Sequence, residues 1–214
     1  MRLHLWLGSC AALGLFAAAQ AAHAGPPPTC FGFAPTITGA GKIKGTKGND
    51  VILGSSGDDQ IDGGGGSDRI CGEGGNDRIS AKNGVILVDG GPGDDQIKVK
   101  TSGAGSADVL GGDGDDDISF DSGGGGGNAV DGGAGDDRIK ANTKGGGGNA
   151  IAGGSGDDDI TYKNGGGGGN SIDGGDGNDV IRFGAGDSVS GGLGTDTCLA
   201  KGQFTTPDCE LINP

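Results

Sequence analysis

The chain has 214 residues, of which 55 are glycine, and its 29 acidic and 15 basic residues give a net charge of −14. This negative balance argues against a nucleic-acid-binding surface, because phosphate recognition needs a basic face. Glycine costs about 1 kcal/mol relative to alanine at a helical position, which argues against an ordinary helical domain, and the absence of a strict three-residue glycine period excludes collagen.

The N-terminal segment, residues 1–24, has the pattern of a secretory signal peptide. Arg2 supplies a positive start, residues 5–22 are mostly apolar, and Ala22-His23-Ala24 is an A-x-A cleavage site. We expect cleavage near Ala24 and Gly25 and secretion of the rest of the chain. A membrane anchor is the alternative, but the small residues and the prolines that follow favour cleavage. No later segment is apolar for long enough to cross a membrane, so membrane insertion is not predicted.

Removing this peptide narrows the chemistry that the chain can perform. Both histidines, His4 and His23, lie within it. The remaining chain cannot use a Ser-His-Asp or Cys-His mechanism, nor form the common zinc sites that contain histidine. Its content of large apolar residues is low enough to be typical of a disordered chain. Something besides apolar burial must therefore help it to fold.

Four cysteines remain after the signal peptide: Cys30, Cys71, Cys198 and Cys209. Secretion permits disulfides, and three pairings are possible. We favour Cys30–Cys71 and Cys198–Cys209, because each would fix one end of the molecule. A metal site is the alternative, but the spacings match no zinc pattern. Residues 25–44 are predicted to form an N-terminal cap and residues 200–214 a C-terminal cap.

Nine-residue units recur through residues 45–199. Four follow one another directly from Gly45: GTKGNDVIL, GSSGDDQID, GGGGSDRIC and GEGGNDRIS. From Gly90 the units recur with a constant period of 21: GGPGDDQIK, GGDGDDDIS, GGAGDDRIK, GGSGDDDIT and GGDGNDVIR. A degraded copy, GGLGTDTCL, begins at Gly191. A fixed period of this kind indicates a repeat architecture.

This pattern resembles the RTX, or haemolysin-type, calcium-binding repeat G-G-x-G-x-D-x-U-x, in which U is a large apolar residue. The resemblance covers most of the chain after the signal peptide. It implies an all-β, right-handed parallel β-roll, a β-solenoid in which Ca²⁺ binds between stacked glycine-rich turns. Each unit would turn the backbone with its first six residues and extend it into a short strand with its last three.

We predict 18 residues per turn near the start of the roll and 21 from about Gly90. Two short parallel sheets then face each other across a thin core, with the isoleucine of each unit pointing inward. The second strand of each turn would contribute Val109, Val130, Ile151, Ile172 and Val189 to this core. Asn128, Asn149 and Asn170 fall in register two residues earlier, as expected for an amide ladder.

Aspartate occupies the sixth position of every unit, and these residues are the candidate calcium ligands. Assigning alternate half-turns to opposite sides predicts two rows. The long row contains Asp59, Asp77, Asp95, Asp116, Asp137, Asp158, Asp179 and Asp196, and the short row contains Asp50 and Asp68. On the short side Ile86 replaces the next aspartate, which leaves calcium binding there open beyond about residue 80.

Stacked carboxylates repel each other at the spacing of about 4.8 Å between strands, by about 1 kcal/mol per neighbour in water. Ca²⁺ accepts six to eight oxygen ligands, both carboxylate and carbonyl, and suits such a row better than Mg²⁺. We therefore expect a secreted calcium-binding protein with a structural or adhesive role, whose folding is coupled to the metal. The alternatives are a metal-independent surface solenoid and an aspartate-only secreted hydrolase, and no enzyme activity is expected. The sequence identifies no cell-surface or matrix partner.

Overall fold

The computed structural model describes residues 28–200, apart from residues 104, 146, 167 and 185, together with residues 209–211. The predicted signal peptide and most of the predicted C-terminal cap lie outside the described residues. The part of the chain that is described consists of strands and turns, and it contains no helix that could span a bilayer.

The strands of the described residues alternate between two parallel sheets. The first sheet consists of β1 (Ile37–Thr38), β3 (Val51–Ser55), β5 (Arg69–Glu73), β7 (Ile86–Pro92), β9 (Ala107–Asp113), β11 (Ala129–Ala134), β13 (Ala150–Ser155), β15 (Ser171–Asp176) and β17 (Ser188–Leu193). The second sheet consists of β2 (Lys42–Lys44), β4 (Gln60–Asp62), β6 (Arg78–Lys82), β8 (Gln96–Thr101), β10 (Asp117–Ser122), β12 (Arg138–Thr143), β14 (Asp159–Asn164), β16 (Val180–Phe183), β18 (Thr197–Ala200) and β19 (Glu210–Leu211). The prediction of an all-β parallel roll is confirmed.

The strand register confirms the two predicted turn lengths. In the first turns Ile61 pairs with Ile79, which is the shorter predicted spacing, whereas Ile97 pairs with Ile118, which is the longer one. The last turn is shorter than predicted, since Ile181 pairs with Cys198. The reason is the connection between β16 and β17, where residues 184–187 replace the longer glycine loop of the preceding turns.

The core is a single layer of aliphatic side chains between the two sheets. The isoleucines of successive repeats, such as Ile97, Ile118 and Ile139, stack on each other and are fully buried. Burying one such side chain contributes about 1.5–3 kcal/mol. Phe120 and Tyr162 also point inward. Because one turn buries only a few side chains, its stability depends on the neighbouring turns.

Both predicted disulfides are present, and each fixes one end of the roll. Cys30 is bonded to Cys71, which holds residues 30–33 against the outer face of β3 and β5. There the guanidinium of Arg69 lies 4.0 Å from the centre of the Phe33 ring. Cys198 is bonded to Cys209, next to the pairing of β18 with β19.

Candidate metal centre

The aspartates at the sixth position of the repeats form a continuous ladder along one edge of the roll. The backbone N–H of each aspartate donates to Oδ1 of the aspartate one turn later, at nitrogen–oxygen distances of 2.7–3.0 Å. All eight side chains are nearly fully buried. The structure therefore brings together the eight aspartates of the predicted long row: Asp59, Asp77, Asp95, Asp116, Asp137, Asp158, Asp179 and Asp196.

The second carboxylate oxygen has no donor over most of this ladder. Among the described residues, no hydrogen-bond donor reaches Oδ2 of any ladder aspartate from Asp77 to Asp196. A buried, unsatisfied carboxylate oxygen is costly, because burial removes its water without replacing the lost interactions. A proton, a cation or an ordered water molecule would satisfy these oxygens.

From Asp77 to Asp179, each orphaned oxygen faces a backbone carbonyl across the first glycine of its repeat. A methyl group on Gly111 would overlap both Oδ2 of Asp116 and the carbonyl oxygen of Gly132 in the next turn. Only a hydrogen atom on the glycine leaves this volume open. The same cradle of carboxylate and carbonyl oxygens recurs in six consecutive repeats, those that begin at Gly72, Gly90, Gly111, Gly132, Gly153 and Gly174.

The donors of these cradles suit a hard cation. Ca²⁺ binds carboxylate and backbone carbonyl oxygens, whereas zinc prefers cysteine and histidine. Within the described residues, no group of three or more His, Cys, Asp and Glu side chains converges on one point. An ion in a cradle would therefore rely on carbonyl oxygens and water for most of its ligands.

Burial shifts the acidity of the ladder carboxyls. Loss of water raises the pKa of Asp95, Asp116 and Asp158 to about 7 and that of Asp77 and Asp137 to about 6. The N–H donated by the preceding turn partly opposes this rise in pKa, and neighbouring aspartates add to it. Without a cation, these ladder carboxyls are therefore partly protonated near neutral pH.

The first turns of the roll satisfy their aspartates differently. Oδ2 of Asp59 accepts hydrogen bonds from the N–H (2.7 Å) and the hydroxyl (3.0 Å) of Ser55. Oδ2 of Asp50 accepts the equivalent pair from Thr46, at 2.7 and 2.9 Å. These two predicted ligands have donors from their own turns, in contrast to the aspartates from Asp77 onward.

The short row also differs from the long ladder. The N–H of Asp50 donates to Oδ1 of Asp68, and no described residue donates to Oδ2 of Asp68. A methyl group on Gly63 would meet Cδ1 of Ile70 at 2.9 Å and Cβ of Ala81 at 3.6 Å, besides Oδ2 of Asp68 at 3.0 Å. Carbon atoms stand where the other cradles have a carbonyl oxygen, so an ion beside Asp68 would have fewer oxygen ligands.

Beyond Ile86 an amide ladder replaces the short row. The side-chain N–H of Asn128 donates to Oδ1 of Asn149 (2.6 Å), and that of Asn149 donates to Oδ1 of Asn170 (2.8 Å). The predicted amide ladder is therefore present. An amide carries both a donor and an acceptor, so these three residues satisfy one another without a cation.

Sequence reasoning missed Asp187 at the end of this amide ladder. Its Oδ1 accepts from the side chain of Asn170 at 2.6 Å, and no described donor reaches its Oδ2. Asp187 lies between two nonapeptide units and belongs to neither. Its position two residues before the inward-pointing Val189 is the signal that could have identified it.

Comparison with known proteins gave one family. The family model described as "RTX calcium-binding nonapeptide repeat (4 copies)" matches residues 43–81, 122–143 and 164–189. No curated protein and no solved structure matches the chain significantly. The matched ranges include ladder aspartates of both turn lengths, so the resemblance seen in the repeats is confirmed.

Proposed function

We propose that this chain, which carries RTX calcium-binding nonapeptide repeats, is a secreted β-roll that binds calcium between its turns and has a structural or adhesive role. The six identical cradles of the long ladder carry this proposal. Each combines a buried carboxylate oxygen that lacks a described donor with the carbonyl oxygen of the next turn. Calcium would supply the positive charge that the ladder lacks.

The ligands would be the ladder aspartates together with the backbone of their turns. Asp77, Asp95, Asp116, Asp137, Asp158 and Asp179 have complete cradles, and Asp196 closes the series with an orphaned oxygen. Asp50, Asp59 and Asp68 are secondary candidates, because Thr46 and Ser55 supply donors to the first two and carbon atoms line the cradle of the third.

Binding would be coupled to folding. An unfolded chain does not bring a carboxylate and a carbonyl of successive turns together, so the free energy of ion binding adds to that of folding. The apolar core is thin and the ladder is acidic, which leaves the folded chain dependent on this contribution. A calcium affinity of about 10⁻⁴–10⁻³ M would suit an extracellular module.

Secretion is supported by two features of the chain. The N-terminal segment up to Ala24 has the pattern of a signal peptide. The two disulfides also fit an oxidising compartment. Mass spectrometry of the exported protein would test this part of the proposal, with an N-terminus at Gly25 as the expected result.

A metal-independent solenoid is the second candidate. The amide ladder of Asn128, Asn149 and Asn170 favours it, because that edge needs no ion. An aspartate-only hydrolase has less support, because the ladder aspartates are buried and hold the backbone of neighbouring turns. We assign the ladder a structural role.

A calcium titration separates these candidates. We expect the chelated protein to gain β-sheet circular dichroism on addition of millimolar calcium, and calorimetry to detect binding that equimolar magnesium does not reproduce. A spectrum that is already rich in β-structure with chelator, and that calcium leaves unchanged, would favour the metal-independent solenoid. Assays on polysaccharide and peptide substrates would test for hydrolysis.

A further inference from the structure

The outer face of the second sheet is basic although the chain as a whole is strongly acidic. Ten of the 15 lysines and arginines lie on its strands: two each on β2, β6, β8 and β12, and one each on β14 and β16. Their side chains alternate with the inward-pointing residues, and all but Arg182 are exposed. Only four acidic residues lie on β2 to β18 of this sheet. We call this surface the basic face.

The opposite surface of the roll has the reverse charge. The strands of the first sheet carry one basic residue, Arg69, against seven acidic ones. The net charge of −14 therefore conceals two faces of opposite sign. A basic surface on an acidic protein attracts anionic ligands locally and repels them elsewhere, which orients a bound polyanion on one side.

The lysines of the basic face are available to a partner. Among the described residues, the only ion pair on this face joins Arg182 to Asp159. Lys98 and Lys140 line an open groove of about 610 Å³ whose other polar lining includes Arg78, Gln60, Gln96 and Ser119 and two acids, Asp62 and Asp117. The groove crosses five adjacent strands along the roll axis, a distance of about 19 Å at the usual strand spacing. This length suits a linear polymer.

The polar residues between the cations indicate which polymer fits. Ser80, Ser119 and Thr161 share one register row with Lys98 and Lys140, and Gln60 and Gln96 occupy the adjacent row. These hydroxyls and amides can both donate to and accept from sugar hydroxyls. Hydroxyl, amide and a few aspartate side chains separate the lysines and arginines of this face. A polymer whose charged units alternate with uncharged ones matches this spacing of positive charges.

A nucleic acid fits this surface less well. Proteins that bind single strands place aromatic side chains under the bases, whereas Phe120, Tyr162 and Phe183 of this sheet all point into the core.

We propose that the basic face binds an acidic polysaccharide whose charges are carboxylates, with Lys98 and Lys140 pairing with uronate groups. This inference deepens the adhesive role proposed above and rests on the folded, calcium-loaded roll. It does not require the calcium ions to contact the polymer.

Fluorescence anisotropy with a labelled hyaluronate decasaccharide, in millimolar calcium and low salt, tests the proposal. We expect saturable binding that weakens with salt, and no binding of a neutral dextran of equal length. Lys98→Glu should weaken binding at least about fivefold. The matched control is Lys47→Glu, an exposed lysine outside the strands with the same change in charge, which should stay within about twofold of the unmodified protein. Lys140→Glu, on a different strand, provides an independent variant with the same expected loss.

Several results would overturn the proposal. One is equal weakening by Lys98→Glu and Lys47→Glu, and another is binding of a single-stranded oligodeoxynucleotide or dextran sulfate as tightly as hyaluronate. If sedimentation detects self-association at low salt that Lys98→Glu abolishes, the acidic face of a second copy is the occupant instead. Circular dichroism in the same buffer separates the two proposals. A calcium-loaded, folded protein that does not bind hyaluronate contradicts the polysaccharide proposal alone. A chain whose circular dichroism does not change on addition of calcium contradicts the proposed function.

Discussion

The backbone N–H of Asp95 donates a 2.8 Å hydrogen bond to Oδ1 of Asp116, one turn further along the roll. Oδ2 of Asp116 receives no donor from the described residues and faces the carbonyl oxygen of Gly132. The two oxygens of one carboxylate thus have different tasks. One fixes the spacing of successive turns, and the other is left for an ion or a proton.

Replacing Asp116 by asparagine separates these two tasks. Asp116→Asn keeps an acceptor for the N–H of Asp95 but removes the negative charge from the cradle. We expect calcium affinity at the adjoining cradle to fall about tenfold, equivalent to roughly 1.4 kcal/mol of lost attraction. Isothermal titration calorimetry measures this change. Asp115→Asn removes the same charge from an exposed neighbour and should leave the affinity nearly unchanged. Equal effects of the two substitutions would show that only overall charge matters.

Filling one cradle should remove one ion. Gly111→Ala places a methyl group against Oδ2 of Asp116 and the carbonyl of Gly132. We expect it to lower the calcium stoichiometry and to destabilise the calcium-loaded protein by about 1–3 kcal/mol through overpacking. Calorimetry and denaturant unfolding provide the two readouts. Gly145→Ala is the matched control, because no atom lies within 4 Å of the added methyl group and its φ is not positive. A Gly111→Ala protein with full stoichiometry would contradict the location of the site.

The chelated protein should be more stable at pH 5 than at pH 8. Folding raises the pKa of Asp95, Asp116 and Asp158 from an ordinary value of 3.8 to about 7, because burial disfavours the charged form. A group with a raised pKa binds a proton on folding, so its contribution to stability is complete below about pH 4 and is lost as the pH rises through about 7. Thermal unfolding monitored by circular dichroism measures the trend.

Calcium should reverse this pH dependence. The ion replaces the protons of the ladder, so calcium affinity should fall as the pH drops below about 7. The melting temperature in millimolar calcium would then decrease from pH 8 to pH 5. A melting temperature that rises from pH 5 to pH 8 with chelator present would contradict the protonation of the ladder carboxyls.

The amide ladder should contribute to stability without contributing to calcium binding. Asn149→Ala leaves the buried side-chain amide of Asn128 without its acceptor at 2.6 Å and removes the donor to Asn170. We expect a loss of about 2–4 kcal/mol, since buried polar groups lose their partners. Asn142→Ala removes one partly buried hydrogen bond to Asp121 and should cost about 1 kcal/mol. Denaturant unfolding in calcium compares them, and calcium affinity should be similar in both. A change in affinity for Asn149→Ala alone would link the two edges.

Much of this architecture could be predicted from the sequence because the repeat leaves little freedom. The spacing between the isoleucines of successive units, such as Ile97 and Ile118, sets the register of each turn. The register in turn determines which aspartates stack. Both disulfides could also be predicted, since each pairing fixes one end of the chain.

Other features depend on contacts that the repeat pattern does not contain. Ser55 occupies a position that is usually glycine, and its hydroxyl supplies a donor to Asp59 that only the local turn geometry creates. Asp187 lies in a connection of irregular length, so its alignment with Asn170 depended on the shorter last turn. The basic face was not apparent from the sequence, because the net charge sums over two sheets whose outward-pointing residues carry opposite charges.

The hydrogen bonds of the aspartate ladder all run in one direction, from an earlier turn to the side chain of a later one. The backbone of Asp158 is held by Asp179, and that of Asp179 is held by Asp196. The N–H of each ladder aspartate therefore lacks its carboxylate acceptor until the following turn is in place, so any chain truncated within the roll ends in an open turn.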